Sequence, residues 1–289
     1  MKLYICCGKG GVGKTTSAVA LAVEAGDSGK KVAIIDFDGG HSVARTLGYD
    51  VTFPHNTIYS LVPEKSRLTV AIIEQTPFVG IIAAKEKGWS LRTYLQQFPD
   101  DLGILPLVDM VNMFFGIPAD VATLEKFVQL TRIVQKLHAE HYDEVIVDVE
   151  PTAGLERLLN NADATARSLR NLQNQGVASL LAISVKWPDI AAYLKGAYIK
   201  NGDNYATRIE QTTAWLRGAA YLVVCAPERS PIEQTQVVTA LVRRFGGRPR
   251  CYVVNNVRGE PGEKEAVALL PKDLPIVMVP RTVALHARK

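Results

Sequence analysis

The sequence predicts a doubly wound α/β fold, in which helices cover both faces of a mostly parallel β-sheet. Three observations support this prediction. Short apolar runs rich in β-branched residues alternate along the 289-residue chain with segments of helical periodicity. The runs show little polar alternation, as expected for strands buried on both faces. The first run is followed by a glycine-rich loop and then by a helical pattern, which is how a βαβ unit begins.

Each strand is predicted from an apolar run bounded by turn residues. In chain order the runs are Leu3–Cys7, Val32–Asp36, Leu68–Glu74, Val145–Asp148, Tyr221–Ala226, Tyr252–Asn255 and Ile276–Val279. Helical periodicity indicates helices over about 14–28, 121–140, 155–175, 188–217 and 231–245. Parallel strands bring their carboxyl ends to one edge of the sheet, so ligands are expected at that edge.

Composition favours a single globular enzyme domain over residues 1–289. The chain is 47% hydrophobic and 21% charged, and its net charge of +4 is not concentrated in a basic face of the kind that binds nucleic acid. It contains no 18-residue apolar run and no amino-terminal signal pattern, so we expect a cytoplasmic protein without a membrane span. The four cysteines lack C-x-x-C spacing and are interpreted as small buried hydrophobic residues.

Residues 8–16 read Gly-Lys-Gly-Gly-Val-Gly-Lys-Thr-Thr, between a predicted strand and a predicted helix. Glycines in this context let the backbone turn its N–H groups toward a polyphosphate at a helix N-terminus, so the loop predicts ATP binding. Lys14 is expected to reach the β- and γ-phosphates, and the Thr15 hydroxyl to ligate Mg²⁺. The predicted nucleotide contacts of the loop are Gly8, Lys9, Gly10, Gly11, Val12, Gly13, Lys14, Thr15 and Thr16.

The loop contains a second lysine, Lys9, where the common phosphate-binding loop has one lysine. At the mouth of the loop its side chain cannot easily fold back onto its own phosphates, whereas it can extend to a nucleotide held by a second protomer. Lys9 would then act in trans, as an arginine finger does. The alternative is a solvated surface lysine.

The pattern Lys-Gly-Gly-Val-Gly-Lys-Thr-Thr resembles the deviant Walker A loop of the nucleotide-sandwich ATPases. These include nitrogenase iron protein, septum-site and plasmid-partition ATPases, and the arsenical-pump and tail-anchored-protein targeting ATPases. The resemblance implies a homodimer with the nucleotide at its interface, and Lys9 and Lys14 as catalytic residues. One chain carries one such loop, so a symmetric sandwich requires two chains.

The segment Asp36–Ser42, at the end of the second predicted strand, is similar to switch I of the arsenical-pump and targeting branch. Asp38 matches the aspartate that activates the attacking water in that branch. Gly39 and Gly40 replace the usual Pro-Ala, which makes the loop more flexible. The alternative role for Asp38 is to cap a helix that begins at Val43, and His41 is either a switch contact or a solvated residue.

A second switch follows the strand that ends at Asp148. Residues 148–159 are similar to that branch's Asp-Thr-Ala-Pro-Thr-Gly-His-Thr-Leu-Arg-Leu-Leu, with Glu150 and Gly154 as departures. The resemblance implies that Asp148 holds the Mg²⁺ shell, which makes the expected magnesium residues Thr15, Asp38 and Asp148. It also implies that Asn255 reads the adenine base, and Pro280 and Arg281 are candidates to complete that pocket.

The client-facing surface is predicted at two helical insertions, about 76–118 and 160–217. Residues 105–116 combine methionine with phenylalanine, which suits either an adaptable binding surface or simple core. The sequence therefore predicts a Mg-ATP-dependent homodimeric switch that handles an unidentified client protein or membrane component. The alternative is a partition or cell-positioning ATPase that binds membrane or nucleoid when it holds ATP.

Overall fold

A single β-sheet organises the part of the chain that the structure describes. The structure is a computed structural model, and it describes residues 1–37, 42–47, 58–60, 68–72, 130–131, 133–149, 151–175 and 203–281. The strands are β1 (Lys2–Gly8), β2 (Val32–Asp36), β3 (Ile58–Ser60), β4 (Leu68–Ile72), β5 (Glu144–Asp148), β6 (Ala220–Cys225), β7 (Arg248–Val257) and β8 (Ile276–Pro280). The helices are α1 (Lys14–Asp27), α2 (Ser42–Thr46), α3 (Thr152–Gln175), α4 (Asp203–Gly218), α5 (Arg229–Phe245) and α6 (Glu263–Val267).

The strand order is β3-β4-β2-β5-β1-β6-β7-β8, which confirms the predicted doubly wound α/β fold. Every pairing among these strands is parallel except that of β3 with β4. The chain leaves β1 toward β2 on one side and later returns to β6 on the other. The carboxyl end of β1 therefore lies at the point where the strand order reverses, which is the usual ligand position in such sheets.

The central strands are buried on both faces, as their apolar runs predict. Ile5, Ile34 and Ile146 have no exposed surface. On one face, the small residues Ala18 and Ala22 of α1 pack against this layer, and their size lets the helix lie close to the sheet. The packing fixes where α1 begins, and so fixes the loop that precedes it.

The helix boundaries follow the sequence predictions with few differences. Helix α3 begins at Thr152 rather than 155, and the predicted helix 188–217 is helical from Asp203, with 188–202 outside the described residues. Of the predicted helix 121–140, residues 130–131 and 133–139 are helical. The short elements β3 and α6 were not predicted, because three to five residues carry no readable periodicity. Helix α2 matches the helix from Val43 that was offered only as an alternative.

The chain divides into two compact units, one of residues 1–74, 133–156 and 215–289 and one of 75–132 and 157–214. The first unit contains the whole sheet. In the second, α3 and α4 meet where the Thr213 hydroxyl, which donates to the Ile209 carbonyl at 2.8 Å, lies 3.5 Å from the carbonyl oxygen of Ala162. The proposed client-facing role of the insertions at about 76–118 and 160–217 stays a prediction. Within the described residues, no helix is long and apolar enough to cross a membrane.

Candidate nucleotide-binding site

The loop between β1 and α1 has a backbone that only glycine adopts readily at three positions. Gly8, Gly11 and Gly13 have φ values of 148°, 78° and 90°. A Cβ at Gly8 would overlap the carbonyl oxygen of Val224, and one at Gly13 would overlap the amide of Asn255. Helix α1 then begins at Lys14 without a side-chain cap on its first N–H groups. The uncapped helix N-terminus after a glycine loop is the backbone arrangement that phosphate requires.

Lys14 lies over this loop. Its side chain is nearly buried, with 7% of the residue exposed, and its Nζ donates to the backbone oxygen of Lys9 at 3.2 Å. The ammonium is thus held at the mouth of the glycine loop by a neutral carbonyl. A phosphate oxygen is a stronger acceptor for an ammonium than a carbonyl, so the geometry suits phosphate binding.

Thr15 and Asp148 meet beside the loop. The Thr15 Oγ1 donates to Asp148 Oδ2 at 2.5 Å, and Asp148 is 1% exposed at the end of β5. The pairing of β5 with β1 places Asp148 opposite Cys6, two residues before the loop. A hydroxyl and a carboxylate with oxygen donors at this edge fit the ligand preference of Mg²⁺. The structure thus brings together two of the three predicted magnesium residues.

The third predicted magnesium residue, Asp38, lies outside the described residues, as do Gly39, Gly40 and His41.

The residue two positions earlier, Asp36, is fully buried at the end of β2, where it pairs in register with Asp148. Its Oδ2 accepts from the Val43 N–H at 3.0 Å and from the Ser42 hydroxyl at 3.2 Å. Asp36 therefore accepts the hydrogen bonds at the start of α2. The sequence analysis had offered Asp38 as the alternative candidate for this capping role. The Asp-x-Asp pattern in the sequence could have pointed to Asp36 as well as to Asp38.

Lys9 extends away from its own loop. The residue is half-buried, and its Nζ donates to the Ser230 hydroxyl, 2.9 Å away, in the first turn of α5. Sequence reasoning did not single out Ser230, because nothing in the local pattern links positions that are 221 residues apart.

The predicted adenine residues lie at the carboxyl ends of β7 and β8. Asn255 Nδ2 donates to the Val12 carbonyl at 3.1 Å, so this side chain contacts the phosphate loop directly. Pro280 ends β8, and the Arg281 N–H donates to the Val257 carbonyl at 2.8 Å. Of the other predicted loop residues, Gly10 faces Pro151, and Thr16 lies in the first turn of α1. Adenine recognition by Asn255, Pro280 and Arg281 stays a prediction.

The cysteines near the loop are chemically quiet. Burial raises the pKa of Cys7 to about 12, and burial likewise raises the pKa of Cys225 to about 12. Burial, followed by the nearby Asp148 carboxylate, raises the pKa of Cys6 well above its ordinary value. Such thiols stay protonated at neutral pH and are poor nucleophiles and metal ligands. In the described part of the chain, no three His, Cys, Asp or Glu residues form a metal-ligand group.

Comparison with known protein families shows the family of this chain. A family model described as anion-transporting ATPase matches residues 1–269. This chain belongs to the anion-transporting ATPase family. The resemblance to the arsenical-pump and targeting branch is thereby confirmed.

Individual relatives agree with the family. An Aquifex aeolicus protein named putative arsenical pump-driving ATPase 2 is 23% identical over 271 residues, covering 92% of this ATPase and 83% of the relative. A putative arsenical pump-driving ATPase of Chlorobaculum tepidum is 26% identical over 178 residues, 60% of this chain and 39% of its own length. The Arabidopsis thaliana ATPase GET3B is 24% identical over 228 residues, 73% of this chain and 50% of its own length. This ATPase thus spans half or less of the latter two relatives.

Proposed function

We propose that this ATPase uses Mg-dependent ATP hydrolysis to switch a homodimer between open and closed states, and that the switch handles a client. The observation that carries the proposal is the contact of Thr15 with Asp148 at 2.5 Å beside the uncapped start of α1. This contact places two oxygen ligands suited to a metal ion next to the phosphate-binding loop, at one edge of the sheet. Switches of this kind work because a ligand binds one of two states more tightly than the other.

Within this proposal the phosphates lie on the loop backbone, and Lys14 exchanges the Lys9 carbonyl for a β- or γ-phosphate oxygen. Thr15 and Asp148 would hold magnesium, which would supply positive charge to offset that of the phosphates. Asp38 orients the attacking water and accepts its proton. Its sequence position, two residues beyond the end of β2, suits this role because β2 pairs with β5 at Asp148.

The dimer is supported by the direction of Lys9. Its ammonium rests on Ser230, outside its own loop, so a second protomer can offer the same group to a nucleotide bound here. Closure around the γ-phosphate would then depend on which nucleotide is bound, and a client could sense the difference.

The client is proposed from the relatives. Their names include arsenical pump-driving ATPases and ATPase GET3B, and the predicted insertions at about 76–118 and 160–217 are the segments that would contact it. The chain has no cysteine in either insertion, which disfavours a metalloid held by thiolates there. We place the protein in the cytoplasm. The partition or positioning alternative would instead have membrane or nucleoid as its partner.

The chemistry is tested with Asp38→Asn. This variant should bind ATP and Mg²⁺ nearly normally but lose on the order of 10² or more in turnover, because proton acceptance is removed while the phosphate contacts remain. Lys14→Ala is the matched comparison and should lose nucleotide affinity itself. Wild-type turnover by Asp38→Asn would contradict the assignment of the water-activating residue.

The trans arrangement is tested by mixing two variants. In a heterodimer, the Lys9→Ala protomer binds nucleotide and lacks its own lysine, while the Lys14→Ala protomer offers Lys9 but has a damaged loop. Partial recovery of hydrolysis on mixing is expected. Wild-type hydrolysis by Lys9→Ala alone, or a monomer in light scattering with ATP and Mg²⁺ at micromolar concentration, would rule the sandwich out.

The partner is tested by co-purification with the ATP-bound Asp38→Asn protein. The material that co-purifies distinguishes a client from the membrane or DNA expected for a positioning ATPase.

A further inference from the structure

Two residues far apart in sequence, Lys9 and Ser230, meet because their strands are neighbours. Gly8 ends β1 and pairs in register with Val224 of β6. Lys9 follows Gly8 directly, and Ser230 follows β6 after a short turn, as the second residue of α5. Their side chains lie 2.9 Å apart, from Nζ to Oγ. The register of β1 with β6 therefore sets the distance between them.

The backbone of Lys9 is held on both sides. Gly8 lies so close to the Val224 carbonyl that a Cβ there would overlap it. The Lys9 carbonyl accepts from Lys14 Nζ at 3.2 Å. The side chain of Lys9 is flexible, and its four-carbon stem can place the ammonium at several positions around this point.

The Ser230 hydroxyl has no evident structural task in its own helix. The N-cap of α5 is Glu228, which makes no side-chain cap bond, and the next residue, Pro231, has no N–H to be capped. Arg229 in the same turn pairs with Glu233 at 2.9 Å, one turn further along. The hydrogen bond that the structure describes for the Ser230 side chain is the one it accepts from Lys9.

The contact is electrostatically weak. Ser230 offers a neutral acceptor, and it lies at the N-terminus of a 17-residue helix, where the helix dipole is positive and disfavours a cation. A phosphate oxygen would hold the same ammonium more strongly, because it carries a negative charge that attracts the ammonium and the serine hydroxyl carries none. Lys9 is thus held where an incoming phosphate can displace its partner.

We propose that Ser230 is a positioning residue for Lys9: it holds the ammonium on its own chain until a phosphate oxygen of the nucleotide across the dimer replaces it. The proposal rests on the trans role of Lys9 given above. Its consequence is that the strength of the acceptor at position 230 sets how readily Lys9 leaves and how readily the dimer becomes active.

The test changes that acceptor in both directions. Ser230→Asp places an anion beside Lys9, and hydrolysis should fall at least about tenfold while the ATP affinity of the protomer stays within about twofold. Its thermal stability should not fall, because an acid in the first turn interacts favourably with the helix dipole. Ser230→Ala removes the acceptor, and the protein concentration for half-maximal hydrolysis should fall about two- to fivefold. Gln236→Glu adds the same charge at an exposed position of α5 and should match wild type.

The effect must pass through Lys9. In a Lys9→Ala background, Ser230→Asp should cause no further loss. Trace acetylation of the nucleotide-free protein, read by mass spectrometry, should label Lys9 fastest in Ser230→Ala and slowest in Ser230→Asp. An equal loss in the Lys9→Ala background, or wild-type hydrolysis by Ser230→Asp, would overturn the proposal. If Lys9→Ala hydrolyses normally, the trans function fails; equal Lys9 labelling in all three proteins would separately show that Ser230 does not hold it.

Discussion

The five-residue strand β5 carries a buried carboxylate at each end, and the two are used differently. Glu144 begins the strand and is 3% exposed, while Asp148 ends it and is 1% exposed. At the amino end, Glu144 Oε1 accepts from the ammonium of Lys30 at 2.7 Å. At the carboxyl end, Asp148 Oδ2 accepts from the neutral hydroxyl of Thr15 at 2.5 Å.

The difference separates a structural acid from a functional one. A buried carboxylate is costly unless it is paired and hydrogen-bonded, and at Glu144 the chain supplies the pairing cation itself. At Asp148 the neighbouring hydroxyl is a group that would share a metal ion with it. We therefore expect substitution at one end to change stability and substitution at the other to change catalysis.

The largest expected effect is at the carboxyl end. Asp148→Asn should lower Mg-dependent hydrolysis at saturating ATP by on the order of 10² or more, because a neutral amide is a poor partner for magnesium. The midpoint of thermal unfolding should not fall appreciably, since Asn keeps an acceptor for Thr15 while a buried charge is removed. Phosphate release and thermal unfolding, measured on the same protein, check both parts. A large loss of stability with normal hydrolysis would reverse the proposed roles.

A smaller effect is expected at Asn255, whose side chain contacts the phosphate loop from the carboxyl end of β7. Asn255→Ala removes the donor to the Val12 carbonyl and should weaken ATP binding roughly three- to tenfold, as for the loss of one hydrogen bond. If the remaining N–H and the oxygen of this amide read adenine, GTP binding should fall less than ATP binding. Titration with both nucleotides measures this. An equal loss of ATP and GTP binding would mean that Asn255 supports the loop but does not recognise adenine.

The smallest effect on activity is expected at the amino end. Glu144→Gln leaves Lys30 with a neutral acceptor and should lower the midpoint of thermal unfolding by roughly a few degrees. Hydrolysis per folded protein should match wild type, because the substitution lies at the opposite end of β5 from Asp148. A loss of turnover without a loss of stability would show that the two ends are coupled.

The pH dependence of stability provides a control for this pair. The hydrogen bond that Lys30 donates to Glu144 raises the pKa of Lys30 above its ordinary value of 10.5. A raised pKa in the folded state means that the contribution of the pair is fully present below pH 10.5 and is lost as the pH rises through the folded value. The difference in stability between wild type and Glu144→Gln should therefore be constant near neutral pH and shrink above pH 10.5.

Much of the fold could be predicted because its signals are local. The run Val32–Asp36 coincides with β2, since five consecutive buried residues leave a clear apolar pattern. Strand β7 begins at Arg248, earlier than predicted, because its first residues are exposed or half-buried and include two arginines and a proline. Strand β3 pairs antiparallel at the edge of the sheet, and its three residues are too few to predict.

The sequence by itself determined the phosphate loop, because a glycine loop, its lysine and the following helix are consecutive and their chemistry depends on neighbours a few residues away. It also determined the alternation of strands and helices, through hydrophobic periodicity. The resemblance also led us to expect Thr15 and Asp148 at one magnesium site, and they meet across 133 residues of chain. Only the tertiary structure decided the other partners of the loop: Lys9 meets Ser230 and Asn255 meets Val12 across 221 and 243 residues. Strand order and register create these contacts, and neither leaves a local pattern in the sequence.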